Sequence, residues 1–320
     1  MAAVAPTNEA IESFHCFGTT CAVLVSGYGP AGGPQDAAAA ARRRLECWHQ
    51  QFSRFDPASE LSLLNADPRP TVPVSPMMAR LAEAVVAAAE HTGGLVDATL
   101  VDAIEQAGYA TNLDSPPVPL SEALALAPPR RPGGADPAGR WRQLRVDRGA
   151  GTVSRPPGLR LDSGGIAKGL FADALAPALA GHPSFAIDCG GDIRFGGRGR
   201  LARELRVASP FDGSTIHAFE LAQGAVATSG IGKRSWRGEA GRPAHHLLDP
   251  ATGAPAFTGI VQVTALAASA LSAEALSKAA LLAGPATAEQ WLPYGGVIVL
   301  EDGSHRVIDE SCPATGAAHS

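Results

Sequence analysis

The chain has 320 residues, a formal net charge of −5 and 45% hydrophobic residues, enough apolar material to fill the core of one large domain or two modest ones. Acidic and basic residues are interspersed and no Lys/Arg block occurs, which excludes a basic face for nucleic acid or an anionic membrane. The five cysteines form no C-x-x-C pair and no zinc-spaced cluster, and no segment approaches the ~18 apolar residues of a membrane span, so the chain reads as a cytoplasmic protein with free thiols and no membrane anchor.

Residues 1–13 are expected to be flexible, with neither a basic nor an apolar leader segment. A short apolar run over 21–26 reads as a strand, followed by a Gly/Pro turn over 27–34. Helical spacing then predicts helices over 35–52 and about 75–91. Residues 115–139, rich in Pro, Gly and Ala, read as a surface connection broken by a helical piece over 121–127. Strands are predicted at 143–146, 184–187, 205–207, 225–228 and 261–266, and helices near 166–179 and 273–282. The small, polar tail 311–320 is expected to be disordered. Residues 14–310 therefore read as a single domain.

The most informative local pattern is Leu161-Asp162-Ser163-Gly164-Gly165-Ile166-Ala167-Lys168-Gly169, a glycine-rich turn opening into a helix. Free amides at a helix start favour an anion, and glycines let backbone approach it closely; an ordinary tight turn has the same pattern. It is neither a Walker loop nor a G-x-G-x-x-G fingerprint. Asp188-Cys189-Gly190-Gly191-Asp192 leaves a predicted strand, where either a ligand loop or a hairpin with solvated acids fits. Thr228-Ser229-Gly230 ends a β-branched run. In His245-His246-Leu247-Leu248-Asp249-Pro250, adjacent histidines on a strand face opposite ways, so one of them can enter a cleft and accept a hydroxyl proton; a structural, hydrogen-bonded histidine is the plainer reading. Gly93-Gly94-Leu95-Val96-Asp97 follows a predicted helix end, and Asp97 has no evident local partner.

Taken in order, these segments resemble the FAD:protein FMN transferases of the ApbE type over about residues 14–284. Phe17-Gly18-Thr19-Thr20 resembles the family's Met-Gly-Thr-Thr, and Phe52-Ser53-Arg54-Phe55 with Ser59-Glu60-Leu61-Ser62 and Asn65 is similar to its next block. Leu95 to Asp97, Asp162 to Asp173, Gly190 to Asp192, Thr228 to Gly230, His246 to Gly253 and Ala273 to Ala279 match its later ones. The resemblance implies an α+β fold related to the T-fold, with mixed or antiparallel sheets and two subdomains enclosing a cleft for FAD. It implies transfer of FMN from FAD to a Ser or Thr of an acceptor flavoprotein with release of AMP, assisted by Mg²⁺. Alternatives in the same cleft are a non-catalytic FAD-binding protein and an FAD pyrophosphatase. By the same match Phe17 and Phe55 flank the ring systems. Leu95, Val96, Asp97, Asp162, Gly164, Gly165 and Lys168 cradle the dinucleotide. Gly190, Gly191, Asp192, Thr228, Ser229, Gly230 and Leu248 complete the cleft, and His246 activates the acceptor hydroxyl.

The metal ligands implied by the family are the Ala167 carbonyl and an Asp and a Thr on a helix that here reads Ala273-Glu274-Ala275-Leu276-Ser277-Lys278. Glu274 keeps an oxygen ligand but displaces it by roughly 1.5 Å, one bond length, against the near-octahedral shell of Mg²⁺. Lys278 offers an ammonium, which repels a cation. Glu274 and Lys278 are spaced i, i+4 and form either an ordinary helix-surface pair or a salt bridge inside the cleft. The position within the resemblance favours the second, with Lys278 in part replacing Mg²⁺ against the diphosphate.

Overall fold

Apolar and small residues alternate along the strands and cluster at i, i+3 and i+4 along the helices, and these two periods set the layers. In the computed structural model, which describes residues 9–30, 32–113 and 116–309, eight strands form one antiparallel sheet whose spatial order follows the chain. They are β1 (Glu9–Cys16), β2 (Thr19–Ser26), β3 (Ser184–Asp188), β4 (Asp192–Gly196), β5 (Gly224–Gly230), β6 (Ile260–Ala267), β7 (Gly296–Leu300) and β8 (His305–Ile308). Central β6 is buried along almost its whole length, as its near-continuous apolar run requires of a strand covered on both faces. Edge strand β1 starts at Glu9, inside the segment expected to be flexible, because Ala10, Phe14 and Cys16 face the core while Ile11 faces out. Met1 to Asn8 and the tail from Glu310 lie outside the described residues, as does Cys312.

The helices are α1 (Pro34–Gln51), α2 (Glu60–Ala66), α3 (Pro76–His91), α4 (Val101–Gln106), α5 (Leu120–Ala125), α6 (Ala167–Leu179) and α7 (Ala270–Ala283). One face of the sheet is covered by α1, α6 and α7. The other carries a hairpin, Arg203–Ala208 with Thr215–Leu221, whose Leu205 and Leu221 seal a small cluster of Ala186, Phe195 and Val226. Between β2 and α6 the chain builds a second unit from α2 to α5 and a three-stranded sheet of Thr71–Pro73, Thr152–Ser154 and Arg145–Asp147. The cleft lies where this unit meets the main sheet and its helices.

Two local devices position that cleft. At Gly169 a β-carbon would sit 2.5 Å from the Ala270 carbonyl oxygen, so glycine is what lets α6 cross the start of α7 at backbone contact. The Asp173 carboxylate, one turn further along α6, accepts the amides of Ala270 and Leu271 at 2.9 Å and caps α7. The stretch read as a surface connection is pinned: Gly133 donates to the Leu282 carbonyl at 2.7 Å and Gly134 to Asp249 at 2.8 Å, tying it to α7 and to the loop after His246. Asp114 and Ser115, at the start of that stretch, lie outside the described residues. Among the described residues, no helix is long and apolar enough to cross a membrane, and Cys16, Cys21, Cys47 and Cys189 are free thiols.

Candidate active site

Three lobes of one cleft converge on Gly164 and Arg234. An apolar lobe runs between Leu95, Leu100, Ile104, Leu248 and Leu282. An aromatic lobe is bordered by Phe17, Phe52, Phe55 and Tyr109. A polar lobe opens between Gly190-Gly191, Thr228 to Gly230 and the hairpin. The polar and aromatic lobes have volumes of about 690 and 620 Å³, each within the range of roughly 300–1,000 Å³ that small-molecule sites occupy.

The glycine turn forms the ridge between the lobes. Asp162 donates its amide to the Ala98 carbonyl at 2.8 Å and accepts the Gly164 amide at 3.1 Å, which fixes the turn. Ser163 donates its hydroxyl to the Phe52 carbonyl at 2.8 Å, holding the aromatic wall against it. Among the described residues the Gly165 amide has no acceptor, so it remains available to an anion at the ridge. Asp97 does have a local partner, contrary to the sequence reading. Its Oδ1 accepts the Thr99 amide at 2.8 Å and hydroxyl at 2.7 Å, while Oδ2 is buried without a donor among the described residues. Burial pushes its carboxyl above the ordinary range against these hydrogen bonds.

Below the ridge lie four charged side chains, two lysines and two carboxylates. Lys168 Nζ contacts Asp192 Oδ2 and lies 4.0 Å from Glu274 Oε1. Lys278 Nζ donates to that same Glu274 oxygen at 3.0 Å, and Glu274 Oε2 accepts the Gly169 amide at 2.9 Å. Glu274 is fully buried and Asp192 is 1% exposed, so neither carboxylate lines the cleft, whereas both lysines do. Burial works against every charge here. It drives Asp192 upward, but the two lysines hold Glu274 below its ordinary value, and Asp192 and Glu274 hold Lys168 above its own. The group is thus an ion-pair network, neutral as a whole, with its ammonium side toward the cleft. The Glu274–Lys278 pair is internal and not a helix-surface pair.

His246 borders both the apolar and polar lobes beside Lys278. Its Nδ1 is 3.4 Å from the Arg234 carbonyl, which can only accept, so Nδ1 carries the proton and Nε2 presents a lone pair. Burial, with the positive charges of Arg234 and Lys278 nearby, lowers its pKa well below the ordinary histidine value, so the ring is neutral at pH 7. His245 points the other way, into the core, with its ring edge-on to Phe257 at 4.8 Å. The Asp249 carboxylate accepts the amides of Gly134 and Ala251 and the Thr252 hydroxyl at 2.8–3.1 Å, which braces the loop that carries His246.

The structure brings most of the sequence candidates together. Leu95, Val96, Asp97, Asp162, Gly164, Gly165 and Leu248 surround the apolar lobe; Phe17, Phe55 and Ala167 the aromatic one; Lys168, Gly190, Gly191, Thr228, Ser229 and Gly230 the polar one. The Ser229 hydroxyl is already bonded to Ser277 at 2.8 Å, so it braces α7. Asp192 and Glu274 support the lysines from behind. Missing from the sequence candidates were Arg234, Arg54 and Tyr109. Arg234 borders all three lobes and donates to the Phe17 carbonyl at 2.6 Å. The Arg54 guanidinium lies 4.5 Å from the Phe55 ring centroid and 5.2 Å from that of Tyr109. The only sequence signal for Arg234 was its place in a short basic step, Lys233-Arg234, between two chemistry-bearing segments.

A model of the ApbE family matches residues 17–299. An FAD:protein FMN transferase of Treponema pallidum is 28% identical over 289 residues, covering 83% of this chain and 76% of that protein. One of Vibrio cholerae is 28% identical over 251 residues, covering 76% and 72%. The crystal structure of an ApbE protein from Thermotoga maritima superposes with a TM-score of 0.77 at 29% identity, covering 95% of this chain and 97% of the other. The flavin transferase ApbE of Vibrio cholerae shares the fold, with a TM-score of 0.73 at 22% identity and coverage of 95% and 98%.

Proposed function

Because this chain belongs to the ApbE family, we propose that it is an FAD:protein FMN transferase that moves FMN from FAD onto a Ser or Thr hydroxyl of an acceptor flavoprotein and releases AMP. The observation that carries the reading is a neutral imidazole, His246, standing beside a glycine ridge and two ammonium groups in one branched cleft. Phe17, Phe55 and Tyr109 border the lobe suited to a ring system of the dinucleotide, and Leu95, Val96 and Leu248 border a narrower apolar lobe of about 90 Å³ beside it. The diphosphate then lies at the junction, facing the Gly164-Gly165 ridge, Arg234 and the lysines.

In this arrangement His246 Nε2 accepts the acceptor hydroxyl proton as that oxygen attacks the FMN-side phosphorus. The bond from this phosphorus to the bridging oxygen breaks, its electron pair leaves on AMP, and the imidazolium returns the proton to solvent. Little covalent work falls to the protein; positioning and charge neutralisation do most of it. A divalent cation does not fit the residues present. Both oxygens of Glu274 are engaged inside the fold and two ammonium groups lie within 4.0 Å of one of them, so no step is assigned to a metal held by Ala167 and Glu274.

Incubation with FAD and candidate flavoproteins tests the reading, following AMP by chromatography and the acceptor by mass. Transfer gives AMP and an FMN-sized gain on a Ser or Thr, and His246→Gln lowers its rate by about 10²–10⁴-fold while FAD binding persists. AMP with free FMN identifies hydrolysis, FAD bound without AMP a carrier, and absence of FAD affinity removes the reading altogether.

A further inference from the structure

The geometry points to Lys278 as a catalytic cation that neutralises the diphosphate directly, making phosphoryl transfer by this chain independent of divalent metal. The inference rests on the transferase reading above and concerns which charge faces the diphosphate. Lys278 sits at the cleft wall: it borders the apolar and polar lobes, and its Cε lies 4.0 Å from where a β-carbon on Gly165 would stand. It therefore adjoins both His246 and the ridge amide of Gly165.

An ammonium has three donors. One is given to Glu274 at 3.0 Å, which leaves two for phosphate oxygens. Glu274 holds the side chain from behind and is fully buried, so it steadies the ammonium without presenting its own negative charge to the ligand. Lys168 is satisfied in the same way by Asp192. The four-group network is neutral, and Arg234 beside it leaves the junction positive for a dianionic ligand. A dication bound to Glu274 Oε1 at about 2.1 Å would stand beside Lys278 Nζ at 3.0 Å and Lys168 Nζ at 4.0 Å from that oxygen. Like charges at such spacing oppose its entry.

In the transfer itself the atoms balance without a metal. The hydroxyl loses its proton to His246, the new oxygen–phosphorus bond forms as the diphosphate bond breaks, and the negative charge growing on the AMP and equatorial oxygens is met by the Lys278 ammonium and Arg234 guanidinium. Both keep their protons throughout.

The test uses the full chain stripped of metal on a chelating resin, with FAD and an acceptor flavoprotein, in EDTA and in Mg²⁺. Initial rates of AMP release are expected to agree within about twofold, and calorimetric titration of Mg²⁺ into the flavin-free protein to show no binding in the micromolar range. The double variant Lys278→Met with Glu274→Gln keeps the interior neutral. It is expected to release AMP about 10²-fold more slowly in both buffers, the loss typical of one charge-stabilising donor. AMP release that appears only with Mg²⁺, or micromolar Mg²⁺ affinity, overturns the inference and leaves the transferase reading standing. A double variant as fast as the parent also overturns it. AMP release absent in both buffers overturns the inference and the reading together.

Discussion

Replacing Lys278 with Met keeps most of the side-chain length but strips Glu274 of the ammonium 3.0 Å from its Oε1. At an effective dielectric of about 20, a pair at that distance attracts by roughly 5 kcal/mol before desolvation is counted. Glu274 cannot recover this from water, being 0% exposed, and keeps only the Gly169 amide and Lys168 at 4.0 Å. Breaking a buried pair from the side that stays buried typically costs about 3–5 kcal/mol, so Lys278→Met is expected to lose about 3 kcal/mol, Lys168 softening the loss. The reverse change is milder. Glu274→Gln strands a lysine whose side chain lines the cleft and can turn toward solvent, so about 1–2 kcal/mol is expected. The double variant removes both charges and is expected to regain most of what Lys278→Met loses. Urea unfolding of the four proteins measures the coupling. A loss below about 1 kcal/mol for Lys278→Met, or simple additivity in the double variant, would show that the two side chains do not depend on one another.

Gly169→Ala is expected to destabilise by about 3 kcal/mol in urea unfolding, because its β-carbon meets Ala270 backbone at 2.5 Å and no rotamer relieves that; the usual helix gain of about 1 kcal/mol for Gly→Ala is outweighed. Acid should weaken the fold through His245, whose buried ring has its pKa lowered to about 3. The unfolded chain protonates near pH 6.5 and the native chain does not, so stability falls as pH drops from 6.5 toward 3. At pH 5 the loss is about 2 kcal/mol, and His245→Phe should abolish that share of the slope in melts at pH 5 and 7. The transfer rate should be nearly flat from pH 6.5 to 8, since His246 is already neutral there, with its acid limb displaced below the ordinary histidine range; a limb centred near 6.5 in initial-rate assays counts against His246 as the base.

Much of this architecture could be read from residue order, and the unread parts share a cause. Strands β2, β3, β5 and β6, and helices α1, α3, α6 and α7, carry strong periodicity and lie where that periodicity puts them. Strand β1 escaped because Glu12 interrupts its core face of Ala10, Phe14 and Cys16, and its pairing with β2 supplies what propensity does not. Strands β7 and β8 were missed although Gly296–Leu300 is almost wholly apolar, and their place at the end of the sheet is fixed by register of β7 with β6 and of β8 with β7. At the site, glycine turns and histidines stand out in a sequence because their backbone freedom or chemistry is local. Arg234 does not: its role depends on reaching the Phe17 carbonyl across a separation of 217 residues.

The paired histidines show what only the fold could decide. Alternation along a strand says that His245 and His246 diverge, but not which one meets the cleft. Pairing of His245 with Ser235, in the short ladder of Pro243–His245 against Ser235–Arg237, turns the His245 ring onto Phe257 and releases the chain just before His246. The Leu247 amide then bonds His245 Nδ1 at 3.3 Å, while His246 turns its own Nδ1 to the Arg234 carbonyl. Both rings are neutral at pH 7 for the same reason, burial. Low basicity alone therefore marks neither as catalytic. What separates them is that the Nε2 of His245 is enclosed in the core without a partner among the described residues, whereas His246 borders two lobes and stands next to the lysine that carries the charge.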